Sequence, residues 1–154
     1  MASFIGEYEV AVDAKGRFLA PASFRKQLAE GEKEQFIVKR GFESCLDIYP
    51  LAVWQKISDK LSKMNDLVEE VRDFKRVFMN GATMVDLDSA DRMLIPKHLQ
   101  EYAGIKKDAV LAAQGTRMEL WDKDTYQNYM KQKTVDVKAL TEKVTKEFGN
   151  PFAD

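Results

Sequence analysis

Cysteine occurs once in this sequence, at Cys45, and histidine once, at His98. A single cysteine excludes an internal disulfide and fits a reducing compartment. The single histidine stands beside Lys97 with no Cys, Asp or Glu cluster at ligand spacing, which argues against a metal site. No serine has a histidine at motif spacing and no glycine-rich phosphate loop occurs, so nothing points to a bound cofactor or to nucleophilic catalysis. No apolar run approaches the roughly 20 residues of a membrane-spanning helix. The opening "MASFIGEYEV" lacks the basic start and long apolar stretch of a secretory signal. A basic excess is missing as well: 24 Lys and Arg stand against 25 Asp and Glu, for a net charge of −1. Taken alone, that balance speaks against a nucleic-acid binder.

What is present is a repeat. "DAKGRFLAP", Asp13 to Pro21, returns as "DSADRMLIP", Asp88 to Pro96. Asp13 and Asp88, Arg17 and Arg92, and Pro21 and Pro96 are each 75 residues apart. The register extends without a gap over "GEYEVAVDAKGRFLAPASFRKQLA" and "GATMVDLDSADRMLIPKHLQEYAG", with six of 24 positions identical. The two charged corners differ in charge. From Asp13 to Lys26, four bases (Lys15, Arg17, Arg25, Lys26) face Asp13, a local +3. From Asp88 to Glu101, Arg92 and Lys97 face Asp88, Asp91 and Glu101, a local −1.

Each copy reads as one supersecondary unit. "YEVAVD" alternates as a half-buried strand. The charged corner is a turn, with Gly16 free to take a positive φ. "RFLA" or "RMLI" makes a short strand, and proline then opens a short helix carrying Phe24 and Leu28, or Leu99 and Ala103. "QFIVKR" with "CLDIYP", and "AVLAAQ" with "RMELWD", read as strand pairs joined by "GFES" and "GT". Cys45 is expected as a small core residue. Helices follow: Trp54, Ile57, Leu61 and Met64 share one face, and so do Leu67, Val71, Phe74 and Phe78. Asp66 and Glu69 resemble a capping box, and Gly81 ends that helix. Val137, Leu140, Val144 and Phe148 form a last stripe ending at Gly149, best read as core or subunit packing. Two such units cannot each close a core, so both are expected to share one barrel about a pseudo-two-fold axis.

These paired Asp-x-x-x-Arg corners, each followed by strand, proline and short helix, resemble the MraZ family within the AbrB-like, swapped-hairpin (SpoVT-AbrB) group. The resemblance covers Gly6 to about Tyr129. It implies an α+β fold: a double-split β-barrel built by two tandem pseudo-symmetric ββαββ-type halves, residues 1–80 and 81–150, with appended helices. It implies a cytoplasmic, nucleoid-associated transcription factor that assembles into a ring of subunits. Such a factor binds direct repeats of double-stranded DNA in the promoter of the division and cell-wall gene cluster, its own gene included, and usually represses it. The signature falls on Asp13, Lys15, Gly16 and Arg17, and on Asp88 and Arg92. Ala90 and Asp91 depart from it, standing where the first corner has Lys15 and Gly16. The charge of Asp91 is expected to repel phosphate.

Arginine's planar fork suits the O6/N7 edge of guanine. Arg17 is therefore the first candidate for base reading, Lys15 for phosphate or a neighbouring base, and Arg92 comes second. Arg25 is a further DNA-contact candidate, with Lys26, Lys39 and Arg40 as weaker phosphate candidates. Asp13, Gly16 and Asp88 are expected to shape the loops. The competing structural reading is a local ion pair that merely fixes a turn. An enzymatic reading, with Asp13 and Asp88 as a carboxylate dyad sharing a proton, is disfavoured because nearby Lys15, Arg17 and Arg92 hold both ionised. No small-molecule substrate or membrane is indicated. A third reading is a protein-interaction scaffold or antitoxin-like module, with docking through the terminal helices around Tyr126, Tyr129, Leu140 and Phe148.

Overall fold

The computed structural model describes residues 3–28 and 35–153. The first copy of the unit gives β1 (Glu7–Ala11), β2 (Arg17–Leu19), α1 (Ala22–Lys26), β3 (Gln35–Arg40), β4 (Leu46–Pro50), α2 (Leu51–Ser62) and α3 (Glu69–Met79). The second gives β5 (Thr83–Asp86), β6 (Arg92–Leu94), α4 (Lys97–Ala103), β7 (Asp108–Gln114), β8 (Arg117–Asp122), α5 (Lys123–Lys133) and α6 (Val137–Phe148). The mixed α+β character and the tandem arrangement of halves are as the repeat predicts.

Six strands form one sheet in the order β1-β7-β8-β4-β3-β5, every pairing antiparallel. The order reads the same when the halves are exchanged. Its axis lies between β4 and β8, where Leu46 faces Leu120, Asp47 faces Glu119 and Ile48 faces Met118. Each half's first strand crosses over: β1 pairs with β7, and β5 pairs with β3. The remaining two strands, β2 and β6, pair with each other as a separate ribbon.

Period-2 alternation explains the core. Phe36 and Val38 of β3, Leu46 and Ile48 of β4, Leu111 of β7, and Met118 and Leu120 of β8 share one sheet face. Against them pack Phe18 and Met93 of the ribbon and Phe24 and Leu99 of the short helices, all at most 1% exposed. Both halves supply this cluster in equal kind. Truncating Phe18 to alanine would cost about 3–5 kcal/mol, and the loss would fall on both halves.

The sheet's other face carries Ile37 and Tyr49, which pack with Val53, Trp54 and Phe78 of α2 and α3. Trp54 and Phe78 stack with ring centroids 5.8 Å apart. Beside them lies a buried ionic group. The Lys39 ammonium stands 3.7 Å from Asp47 Oδ2 and 4.2 Å above the Phe78 ring, and donates to the Arg40 carbonyl. Arg117 pairs with Asp47 and Glu119 at 3.2 and 3.3 Å.

One expected cap is absent. α3 starts at Glu69 behind Val68, with no side-chain cap. Asn65 Oδ1 instead accepts the Leu67 N–H, turning the chain, and Asp66 pairs with Lys75. Leu67, placed by periodicity on the apolar face, is consequently exposed. Residues 3–123 belong to one compact unit and 124–153 to a second. In the second, Asp136 caps α6 by accepting the Ala139 N–H at 2.9 Å. Val137, Leu140, Val144 and Phe148 of that helix are 41–76% exposed. Among the described residues, no helix is long and apolar enough to cross a membrane.

Candidate nucleic-acid interface

The two charged corners share one geometry. Asp13 Oδ1 accepts the backbone N–H groups of Lys15 and Arg17, both at 2.9 Å, and Oδ2 takes the Arg17 Nε–H at 2.9 Å. Asp88 Oδ1 accepts from Ala90 and Arg92 at 2.9 Å, and Oδ2 takes the Arg92 Nε–H at 3.0 Å. The Gly16 N–H closes the first turn on the Asp13 carbonyl, as the Asp91 N–H closes the second on Asp88. The aspartates are thus the organising residues of their loops. The Arg17 backbone N–H, above all, holds the Asp13 carboxyl below the ordinary aspartate value of 3.8; the Arg92 backbone N–H does the same for Asp88. A dyad sharing one proton requires one of the two to be raised, and both shift downward.

The ribbon joins the corners. Arg17 lies opposite Leu94, Phe18 opposite Met93 and Leu19 opposite Arg92. Phe18 and Met93 point into the core, so the other four residues share the outer face. Arg17 and Arg92 occupy diagonal corners of that face, about 7–8 Å apart. Their side chains are 27% and 38% exposed. Each guanidinium spends its Nε on its own aspartate, and among the described residues neither has another hydrogen-bond or ion-pair partner. The terminal nitrogens, the pair suited to a bidentate contact, are uncommitted. Lys15 is exposed at the turn tip.

The halves also lock each other's turns. The Gly16 carbonyl accepts the Ile95 N–H, and the Asp91 carbonyl accepts the Ala20 N–H, both at 2.9 Å. Gly16 has φ 87°. A Cβ there would collide with the Gln100 side-chain amide, whose Nε2 donates to the Ile95 carbonyl at 2.7 Å. At the equivalent place in the other half, Asp91 holds φ 60°. Its carboxylate meets Arg25, the repeat partner of Gln100, at 3.3 Å, and Arg25 Nε donates to the Ala20 carbonyl. Glycine at 16 thus stands with glutamine at 100 in one arrangement, and aspartate at 91 with arginine at 25 in the other. Asp91, expected from its charge to repel phosphate, stands beside Arg25. Arg25 neutralises that charge.

Other candidates sit elsewhere. Lys39, expected as a phosphate contact, is 2% exposed and held by Asp47, Arg40 and two rings; burial depresses its pKa. That expectation is corrected: alternation places Lys39 on the inner side of α3. Arg40 stacks on Tyr102 at 4.9 Å, and its buried Nε has no hydrogen-bond partner among the described residues. His98 lies near the Gly81 carbonyl at 3.3 Å. Glu43, Cys45 and Glu119 bring ligand-type atoms within 4.8 Å of one another, but burial pushes the Cys45 thiol far up. Arg117 and Trp121 already hold Glu119. This trio is a poor donor set, because thiolate is the ligating form.

Fold and site together define a tandem-repeat α+β protein whose halves exchange strands and present two matched Asp/Arg turns on a shared ribbon. Family comparison agrees with that description. The "MraZ protein" family model, whose description likens it to antitoxins, matches residues 3–77 and again 78–148. The chain belongs to the MraZ family. It is 40% identical over 143 residues to the transcriptional regulator MraZ of Cytophaga hutchinsonii, covering 93% of this chain and 95% of the relative. The regulator MraZ of Acetivibrio thermocellus is 39% identical, with 92% and 96% covered. That of Desulfitobacterium hafniense is 41% identical, with 84% and 87% covered.

Proposed function

We propose that this protein is a sequence-specific DNA-binding transcriptional regulator, acting in the cytoplasm at the nucleoid as a repressor of the division and cell-wall cluster that holds its own gene. The observation that carries the reading is the outer face of the β2–β6 ribbon, where the two guanidiniums' terminal nitrogens are free among the described residues. A major groove about 12 Å wide admits a two-stranded β-ribbon. We read the sheet and ribbon as a double-split barrel whose function is to hold that ribbon outward. Arg17 reads guanine, Lys15 meets phosphate, and Arg92 contributes from the second corner. Arg25 serves mainly by neutralising Asp91. Asp13 and Asp88 fix the guanidinium planes, and Gly16 gives the first turn its shape.

One subunit with net charge −1 binds weakly. A ring of subunits on several direct repeats binds tightly, because later contacts form at high effective concentration. Exposed apolar residues such as Leu67 and Val77 near α3, and Phe148 on α6, are available for such assembly. Affinity then depends steeply on repeat number and on salt.

The test is Arg17→Ala, measured by fluorescence anisotropy on DNA from upstream of the protein's own gene, with particle mass by light scattering. Specific binding should disappear while mass stays constant. Unchanged affinity would assign the Asp/Arg turns to structure alone, as the scaffold or antitoxin-like reading requires.

A further inference from the structure

Six residue types are identical between the two copies of the 24-residue unit. Five have a visible task in the fold. Gly6 and Gly81 take φ 134° and 78°. Val10 and Val85 pack against or within the core. Asp13 with Arg17, and Asp88 with Arg92, build the turns. Pro21 and Pro96 stand at the starts of α1 and α4. The sixth is leucine, at Leu19 and Leu94, and it packs in neither core cluster. Leu19 is 57% exposed and Leu94 50% exposed.

Their position is specific. Leu19 faces Arg92 across the ribbon, and Leu94 faces Arg17. Directly opposed residues keep their Cβ atoms about 4.5–5.5 Å apart. Each guanidinium therefore has an aliphatic neighbour supplied by the other half. A half-exposed strand position is filled by leucine in both copies. Base edges in the major groove carry a single apolar group, the C5-methyl of thymine. We propose that Leu19 and Leu94 are specificity-determining residues that bury thymine methyl groups next to the bases read by Arg92 and Arg17. This rests on the reading of the ribbon as the DNA-binding face. Two leucines hemmed in by two guanidiniums and two charged turns make a poor apolar patch for a protein partner.

The experiment compares the full-length protein with the Leu19→Ala/Leu94→Ala double variant. The probe is DNA from upstream of the gene, amplified once with thymidine and once with deoxyuridine, which lacks only the methyl. The wild type should bind the uracil fragment at least about four-fold more weakly, the effect of one buried methyl-sized group. The double variant should bind the two fragments alike. An indifferent wild type overturns the proposal. So does a variant that keeps the full difference, since the methyl would then act through DNA shape. A changed particle mass in the variant would make the leucines subunit contacts, which also overturns it. Failure of the wild type to bind either fragment would instead remove the DNA-binding reading beneath it.

Discussion

Replacing Gly16 tests whether the two halves lock each other's turns. At φ 87°, an L-residue in the left-handed region costs about 1–2 kcal/mol. The new Cβ also displaces the Gln100 amide and breaks its 2.7 Å bond to the Ile95 carbonyl, a further loss of about 0.5–1.5 kcal/mol. Gly16→Ala should therefore destabilise by about 2–3 kcal/mol, which lowers the thermal midpoint by roughly 4–12 °C for a chain of this size. Gly16→Asp alone should fall in the same direction. Combined with Gln100→Arg, it recreates the arrangement of Asp91 with Arg25, including a guanidinium donor for the Ile95 carbonyl. The double variant should recover at least half of the loss. Little of that recovery comes from the ion pair itself, since exposed pairs contribute about 0–1 kcal/mol; most comes from restoring fit. Calorimetry of the four proteins decides it. A Gly16→Ala protein that melts with the wild type, or a double variant no better than Gly16→Asp, would refute the coupling.

Arg92→Ala should weaken promoter binding less than Arg17→Ala, and Lys15→Ala should weaken binding to all sequences alike and flatten the salt slope by about one unit; anisotropy titrations over a salt series check both. Lys39→Met should destabilise by about 1–3 kcal/mol, below the 3–5 of a fully orphaned buried charge, because Arg117 still pairs with Asp47; denaturant unfolding measures it. For the corner aspartates, the folded pKa lies below the ordinary 3.8, so the unfolded chain binds more protons and stability rises with pH through that window. The margin of wild type over Asp13→Asn/Asp88→Asn should therefore be constant above about pH 5 and shrink as pH falls below 3.8. A margin independent of pH would show that the carboxylate charge contributes nothing to the turns.

The elements with strong period were readable from residues alone. Alternation in "RMELWD" places Met118 and Leu120 on one face, and that is the face that packs; "QFIVKR", apolar in succession, is buried on both faces. The internal register gave the twin corners and their aspartate-centred geometry. Pairing partners were not readable, because a strand's alternation says which side is buried and nothing about its neighbour; hence β1 on β7 and the β2–β6 ribbon came only from the structure. Lys39 was misjudged for a related reason. Charge suggests solvent, whereas position 39 falls on the strand face that α3 covers, where Asp47, the Arg40 carbonyl and the Phe42 and Phe78 rings together make its burial tolerable. The Asp66 cap failed because Asn65 offered the chain a competing turn.

The exchange of β1 and β5 between halves has a consequence for the kind of operator such a molecule can address. An intertwined dimer of separate chains is obliged to carry two identical arms, and so matches palindromic targets. Here a covalent tether removes that obligation. The two tips are unequal, lysine and glycine at one where alanine and aspartate stand at the other; under the function proposed above, that inequality would give the molecule a front and a back along a duplex.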